Sequence, residues 1–240
     1  AAAVCAALMP MTNGNWFVLL TLHLTTFFFT ALMCHQRLAS LRPPPDRLTE
    51  FFLWLAVGGV LGGAFNAMVA PVIFNTVVEY PLALCLAALA RPWTRTRLSR
   101  DELMWGAAVA VVGLIPPILF WWLSVDGRPH QMGLDWETAR MVVLLPLGAA
   151  AICAFMVRQR ARLFFVALCL ISLAASQVAV RYDWTESDRS FFGVLRRADV
   201  DFREVGDVRI LMQGTTLHGA QIQAAEGRCR PSLYYAPTTP

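Results

Sequence analysis

The stretch FFLWLAVGGVLGGAFNAMVA, Phe51–Ala70, runs for 20 residues without a formal charge. A bilayer core about 30 Å thick takes about 20 apolar helical residues to cross, within a working range of about 17–25. Phe51–Ala70 therefore reads as a transmembrane helix, and the sequence around it repeats the pattern. Trp16–Cys34, Leu103–Leu123, Met141–Val157 and Leu163–Val180 are equally uncharged, while Pro71–Ala90 carries only Glu79. An apolar run already under way at Ala1–Met9 adds the end of another crossing. The expectation is an all-α polytopic membrane helical bundle over residues 1–180, with six complete crossings and a partial one. A short antiparallel β-segment follows over residues 181–240.

Composition points the same way. Of the 240 residues, 57% are apolar and 15% charged, against about 45–50% and about 25% in an ordinary soluble domain. Disorder, collagen-like repeats and a small disulfide scaffold are excluded on these figures. All 20 basic residues are Arg. Residues 1–180 hold 12 Arg against 8 acids and residues 181–240 hold 8 against 8, so the net charge of +4 belongs to the apolar part. A nucleic-acid partner is not expected, because its basic footprint would gather on one polar face. The expected partner is the lipid bilayer.

Short basic loops remain in the cytoplasm. His35–Glu50 contains Arg37, Arg42 and Arg47; Arg91–Glu102 contains four Arg; Arg158–Arg162 reads RQRAR. These loops are expected inside, and the acidic loop Ser124–Thr138 outside. Leu163–Val180 then leaves from an inside loop, which places the tail from Arg181 on the outer face. The chain opens at Ala1 with no basic segment ahead of its apolar run and ends within a polar stretch, so it reads as a fragment cut at both ends for which no signal peptide can be claimed.

Few polar features interrupt the apolar runs. Gly58, Gly59, Gly62 and Gly63 place small residues four apart on one helix face, a helix-packing surface. Glu79 is expensive at membrane depth and marks either a polar site or a helix break reaching water. Asn66 and Asn75 flank Pro71 and are expected to satisfy backbone groups freed there. Together Glu79, Asn66 and Asn75 form the candidate intramembrane polar site, which a transporter or permease of a small solute would use. Pro116-Pro117 is expected to kink its helix. His23, among Leu22, Leu24 and Phe27, reads as a packed or hydrogen-bonded residue. The six cysteines show no C-x-x-C spacing and no zinc-finger histidine, so no metal site is expected.

In the tail, Tyr182–Arg189 (YDWTESDR) reads as a charged linker. Phe191–Arg197, Val208–Gln213 and Thr216–Gln223 read as strands of a meander, with Asp199–Asp207 and Gln213-Gly214 as the separators. Gly193 and Gly219 suggest bulges or close backbone approach. Ser232–Ala236 (SLYYA) begins a further element. His218 has no nucleophile or carboxylate at a recognisable partner spacing, and no G-x-G-x-x-G loop is present.

The sequence resembles a bacterial family of fused membrane/spermidine synthase proteins, in which a transporter-like (major-facilitator-like) helical region precedes a spermidine synthase-type domain. The resemblance rests on RLTEFFLWLAVGG (Arg47–Gly59), LGGAFNAMVAPVIFNTVVEYPLALCLAALARP (Leu61–Pro92), RSFFGVLR (Arg189–Arg196), LMQGTTLHGAQ (Leu211–Gln221) and PSLYY (Pro231–Tyr235). Gln213 departs from it, standing where the family pattern has His. The resemblance implies aminopropyl transfer from decarboxylated S-adenosylmethionine, the co-substrate, to a polyamine such as putrescine. It implies a multi-pass protein of the bacterial plasma (inner) membrane whose residues 181–240 start the synthase-like domain. His218, Gln221, Tyr234 and Tyr235 become candidate substrate contacts. The catalytic acid and nucleoside loop are expected beyond Pro240, in a C-terminal domain of the same protein, so no catalytic residue is expected in these 240 residues and they are expected to be inactive alone. Decarboxylated S-adenosylmethionine is cytoplasmic while the Arg distribution favours the outer face, so the side of residues 181–240 stays undecided: either one apolar run, Pro71–Ala90 foremost, does not fully cross, or the fused domain no longer carries out the parent reaction.

Overall fold

A computed structural model describes residues 16–92, 97–124, 136–178, 184–202, 206–214 and 216–230. Six helices precede a four-stranded sheet: α1 Trp16–Ser40, α2 Leu48–Ala64, α3 Glu79–Leu89, α4 Arg100–Ser124, α5 Trp136–Met156 and α6 Ala161–Val178. Three helical stretches are long and apolar enough to cross a membrane: α1, the rod Pro45–Ile73 that contains α2, and the Arg100–Leu119 part of α4. Among the described residues, length and apolarity thus support three of the six expected crossings. Five of the expected runs do coincide with helices α1, α2, α4, α5 and α6. The run at Ala1–Met9 and the loop at 125–135 lie outside the described residues.

The sixth run is the correction. Pro71–Ala90 is not one helix: the rod ends at Ile73, Phe74 is extended, and α3 starts only at Glu79. The β-branched Thr76-Val77-Val78 sequence favours extended backbone. Pro81 cannot donate to a preceding turn, and it falls in the first turn of α3, where no such bond is needed. The 11 residues of α3 rise only about 16 Å, roughly half a bilayer core.

Two compact units make up the chain: Ala1–Pro43 with Tyr80–Ala179, and Pro44–Glu79 with Val180–Pro240. The first unit is a helical bundle with a core of small and branched side chains. Ala150, Ala151 and Ala154 of α5 meet Ala167, Leu168, Ile171, Ala174 and Ala175 of α6, with Val109 of α4 and Cys85 and Ala88 of α3. Alanines let helix backbones approach closely, so the contact gains dispersion energy without bulky knobs. Gly106 of α4 serves the same end, since a Cβ there would lie 3.3 Å from Leu163 Cδ2. α4 runs through Pro116-Pro117 to Ser124 as one helix. His23 Nδ1 lies 2.7 Å from the Tyr80 hydroxyl, the expected hydrogen-bonded packing role.

One end of this bundle is closed by charge. Ser99 and Glu102 form a capping box at the start of α4: Ser99 N–H donates to Glu102 Oε2 (2.9 Å) and Glu102 N–H to Ser99 Oγ (3.1 Å). The other oxygen of Glu102 accepts from Arg160 Nε at 2.6 Å. Arg91 donates to the Arg158 carbonyl, and the Arg158 guanidinium sits 3.9 Å from the centre of the Phe155 ring. The basic loops at residues 91–102 and 158–162 are thereby joined.

The second unit carries the rod and the sheet. Within the rod, α2 passes into a π-helical turn, Phe65–Val69, and a last α-helical turn, Ala70–Ile73. The wider turn lies just ahead of Pro71, whose ring would clash with the carbonyl four residues back in a regular helix. The sheet is an antiparallel meander in the order β1 Trp184–Ser190, β2 Gly193–Phe202, β3 Gly206–Gln213 and β4 Thr216–Ile222. Ala198, Val208, Ile210 and Met212 line its buried face, packed by Val200, Leu217, Ala220 and Ile222.

Three tail expectations are corrected. The supposed linker is strand β1, paired with β2 from Trp184↔Ala198 to Ser190↔Gly193. An edge strand needs no apolar alternation, and its Glu186 pairs with Arg197 of β2 at 2.9 Å. Phe191 and Phe192 are the hairpin turn and not strand. Asp199 to Phe202 extend β2 instead of separating strands, because Asp199 stands directly opposite Arg209 and the two form a 2.7 Å ion pair. The turn suits its sequence: Gly193 has φ +135°, and a Cβ there would lie 2.9 Å from Gln213 Nε2. Gly219 pairs with Leu211 while Leu217 pairs with Met212, so the extra residue of the bulge is His218.

Candidate functional site

The polar residues of the second unit converge where the rod meets β1. Ser187 Oγ donates to the Asn75 carbonyl (3.0 Å), and Arg189 donates to the Thr76 carbonyl. The Arg189 guanidinium also clasps Glu79 with both terminal nitrogens, Nη2 to Oε1 at 2.6 Å and Nη1 to Oε2 at 2.9 Å. The fork geometry of Arg matches a carboxylate in this way, where Lys would act as a point charge. Both side chains are largely buried. Sequence reasoning singled out Glu79 but not its partner. Arg189 stands at the end of a charged stretch that reads as linker and opens the RSFFGVLR stretch of the resemblance, and neither signal points to Glu79.

Beside this junction lies an open cleft of about 350 Å³. The rod contributes Asn66, Ala67, Pro71 and, past its end, Val77; the β1–β2 hairpin contributes Arg189, Ser190, Phe191, Gly193 and Val194; the β3–β4 turn contributes Gln213 and Gly214. Asn66 Nδ2 donates to the Gly62 carbonyl at 2.9 Å, satisfying backbone ahead of the π turn as its type suggested. Asn75 acts through its main chain, as the acceptor of Ser187. Gln213 Nε2 donates to the Phe192 carbonyl (3.0 Å), so this side chain fixes the hairpin turn. The cleft is open and mostly apolar, and the Asn66, Arg189 and Gln213 side chains on its lining each donate to groups of the protein itself.

The remaining sequence candidates stand apart from the cleft. His218 is exposed at the β4 bulge, a position that commonly re-aims a side chain. Gln221 is exposed on β4, and its Nε2 donates to the Arg228 carbonyl at 3.1 Å. Tyr234 and Tyr235 lie outside the described residues. A Cβ built on Gly58, Gly59, Gly62 or Gly63 would meet nothing within 4 Å, so no other described element packs against this stripe.

The chain has no significant match to a protein-family model, to a curated protein or to a solved structure.

Proposed function

We propose that this chain is the membrane part and leading β-region of a spermidine synthase-like protein that handles a polyamine at the outer face of the membrane. One observation carries the reading. Every residue lining the cleft falls within Leu61–Pro92, Arg189–Arg196 or Leu211–Gln221, the stretches on which the resemblance rests. Segments far apart in sequence, one apolar and two polar, supply a single site.

The side of the membrane follows from the rod. Pro45–Ile73 carries Arg47 at one end and the sheet at the other. Its 29 residues rise about 43 Å, more than enough to cross. With the Arg37–Arg47 loop assigned inside by its charge, this reading puts the sheet outside, the side that the Arg count favours. Decarboxylated S-adenosylmethionine is made in the cytoplasm, so on this face the amine is the substrate within reach. His218 and Gln221, with Tyr234 and Tyr235, are the proposed amine contacts; His218 and Gln221 lie on β4 outside the lining of the cleft, so the cleft supports the family reading and not the position of the amine. A catalytic acid and nucleoside loop would belong to a domain continuing past Pro240.

The transporter reading needs Glu79 as a solute- or ion-carrying carboxylate. Arg189 already occupies both of its oxygens, which weighs against that role.

The test uses the chain with its native continuation, in right-side-out membrane vesicles. Labelled putrescine or spermidine added outside is expected to bind, and His218→Ala with Gln221→Ala to lower that binding at least tenfold. Spermidine formed from lumenal putrescine and decarboxylated S-adenosylmethionine would instead restore aminopropyl transfer and overturn the outer-face assignment. Residues 1–240 alone are expected to form no spermidine under either condition.

A further inference from the structure

The β1–β2 turn presents two adjacent phenylalanines to the surroundings. Phe191 is 75% and Phe192 85% exposed, their rings edge-on with centroids 5.7 Å apart. Burying large aromatics is worth kilocalories, and an exposed aromatic pair on a tight turn gives up that gain unless something covers it. The turn is rigidly made: Gly193 supplies its left-handed φ, Gln213 holds the Phe192 carbonyl, and Ser190 Oγ accepts from Phe192 N–H at 3.2 Å.

Its depth against the rod identifies what covers it. Phe191 lines the same cleft as Asn66, Ala67 and Pro71. Measured along the rod, the apolar stretch from Phe51 to Ile73 rises about 33 Å, slightly more than a hydrocarbon core of about 30 Å. With Glu50 at one headgroup region, the opposite boundary of the core falls near Ala70. Asn66 and Ala67 then lie about 5 Å inside it. A turn that shares a cleft with those residues stands level with the boundary between headgroups and acyl chains, where amphipathic and aromatic groups settle.

We infer that the Phe191-Phe192 turn is a lipid anchor that dips into the headgroup–acyl boundary beside the rod. The inference rests on the membrane reading of the rod but not on any polyamine chemistry. The bilayer is continuous with the apolar surface of the rod, so no separate partner is needed to cover these rings. The anchor adds a lipid contact to the Glu79–Arg189 clasp, which ties the hairpin to the chain just past the end of the rod.

The photoreactive residue p-benzoylphenylalanine, introduced singly at Phe192, Phe191, Val60 or Asp207 of the membrane-embedded chain, tests this. Val60 is 70% exposed in the middle of the rod, and Asp207 is an exposed residue of β3. After irradiation in phosphatidylcholine/phosphatidylglycerol vesicles, intact mass reports any covalent phospholipid adduct. Adducts at Phe192 and Phe191 within about twofold of the Val60 yield, and none at Asp207, are the expected result. Adducts at Val60 with none at either phenylalanine, or cross-links from the turn to protein, overturn the anchor while leaving the rod in the membrane. Absence of adducts at Val60 overturns the membrane reading and the anchor with it. Including both turn positions guards against one variant failing to fold.

Discussion

Arg189 and Glu79 are separated by 110 residues, yet they meet in a two-bond clasp of 2.6 and 2.9 Å. Removing either partner leaves a largely buried charge without its counter-ion. Glu79→Gln and Arg189→Ala are each expected to free β1 from the end of the rod, read as faster protease cleavage within residues 184–190. The exchange Glu79→Arg with Arg189→Glu keeps opposite charges at the two sites and should recover part of the protection. Equal sensitivity in the exchanged protein would mean that the clasp does not hold the strand.

Gly193→Ala should destabilise the sheet by about 1–3 kcal/mol, the range for a side chain forced into a glycine-only conformation. Steric pressure adds to this, because the new Cβ would meet Gln213 Nε2. Gln213→Ala in the same chain relieves the contact but not the φ, so it should rescue only part of the loss. Urea unfolding followed by circular dichroism of the strand signal measures both.

A reporter fused after Pro240 should be active as alkaline phosphatase and dark as a fluorescent protein. One inserted after Arg42 should behave in the opposite way. Fluorescence at both positions would place the sheet with the basic loop and refute the crossing by the rod.

Asp199 supplies the pH dependence. The Arg209 side chain, through its hydrogen bonds and then its charge, holds the Asp199 carboxyl below its usual range, with desolvation opposing. A lowered native value means that the unfolded chain binds the proton more readily. The stabilisation is therefore complete above the unfolded value of about 3.9 and fades as pH falls through the lower native one. Asp199→Asn should remove that part of the acid sensitivity and should cost little, since the pair is well exposed. An unchanged acid-unfolding profile for Asp199→Asn would contradict this.

The helices were legible because length without charge is a strong signal: Trp16–Cys34 and Leu103–Leu123 each fall within a helix. Pro71–Ala90 failed because composition measures apolarity and not continuity, and the break is made by local backbone preferences at residues 74–78. β1 was illegible for the opposite reason. An edge strand held by main-chain pairing and by cross-strand ion pairs leaves no hydrophobic alternation to read. The same holds for the site: Glu79 stood out against its apolar neighbours, whereas Arg189 was one charge among many until the fold set it opposite. The capping box at Ser99-x-x-Glu102 was present in the sequence as a pattern, but its link to Arg160 required the bundle.

No residue of α2 is buried among the described residues. If the rod crosses a bilayer as proposed, lipid and not protein sets its inclination. A helix longer than the local hydrocarbon leans to fit it, and here the sheet is fastened at the far end of the lever. A change in bilayer thickness would accordingly swing the sheet through an arc, making its height above the surface a readout of the lipid in which the protein resides.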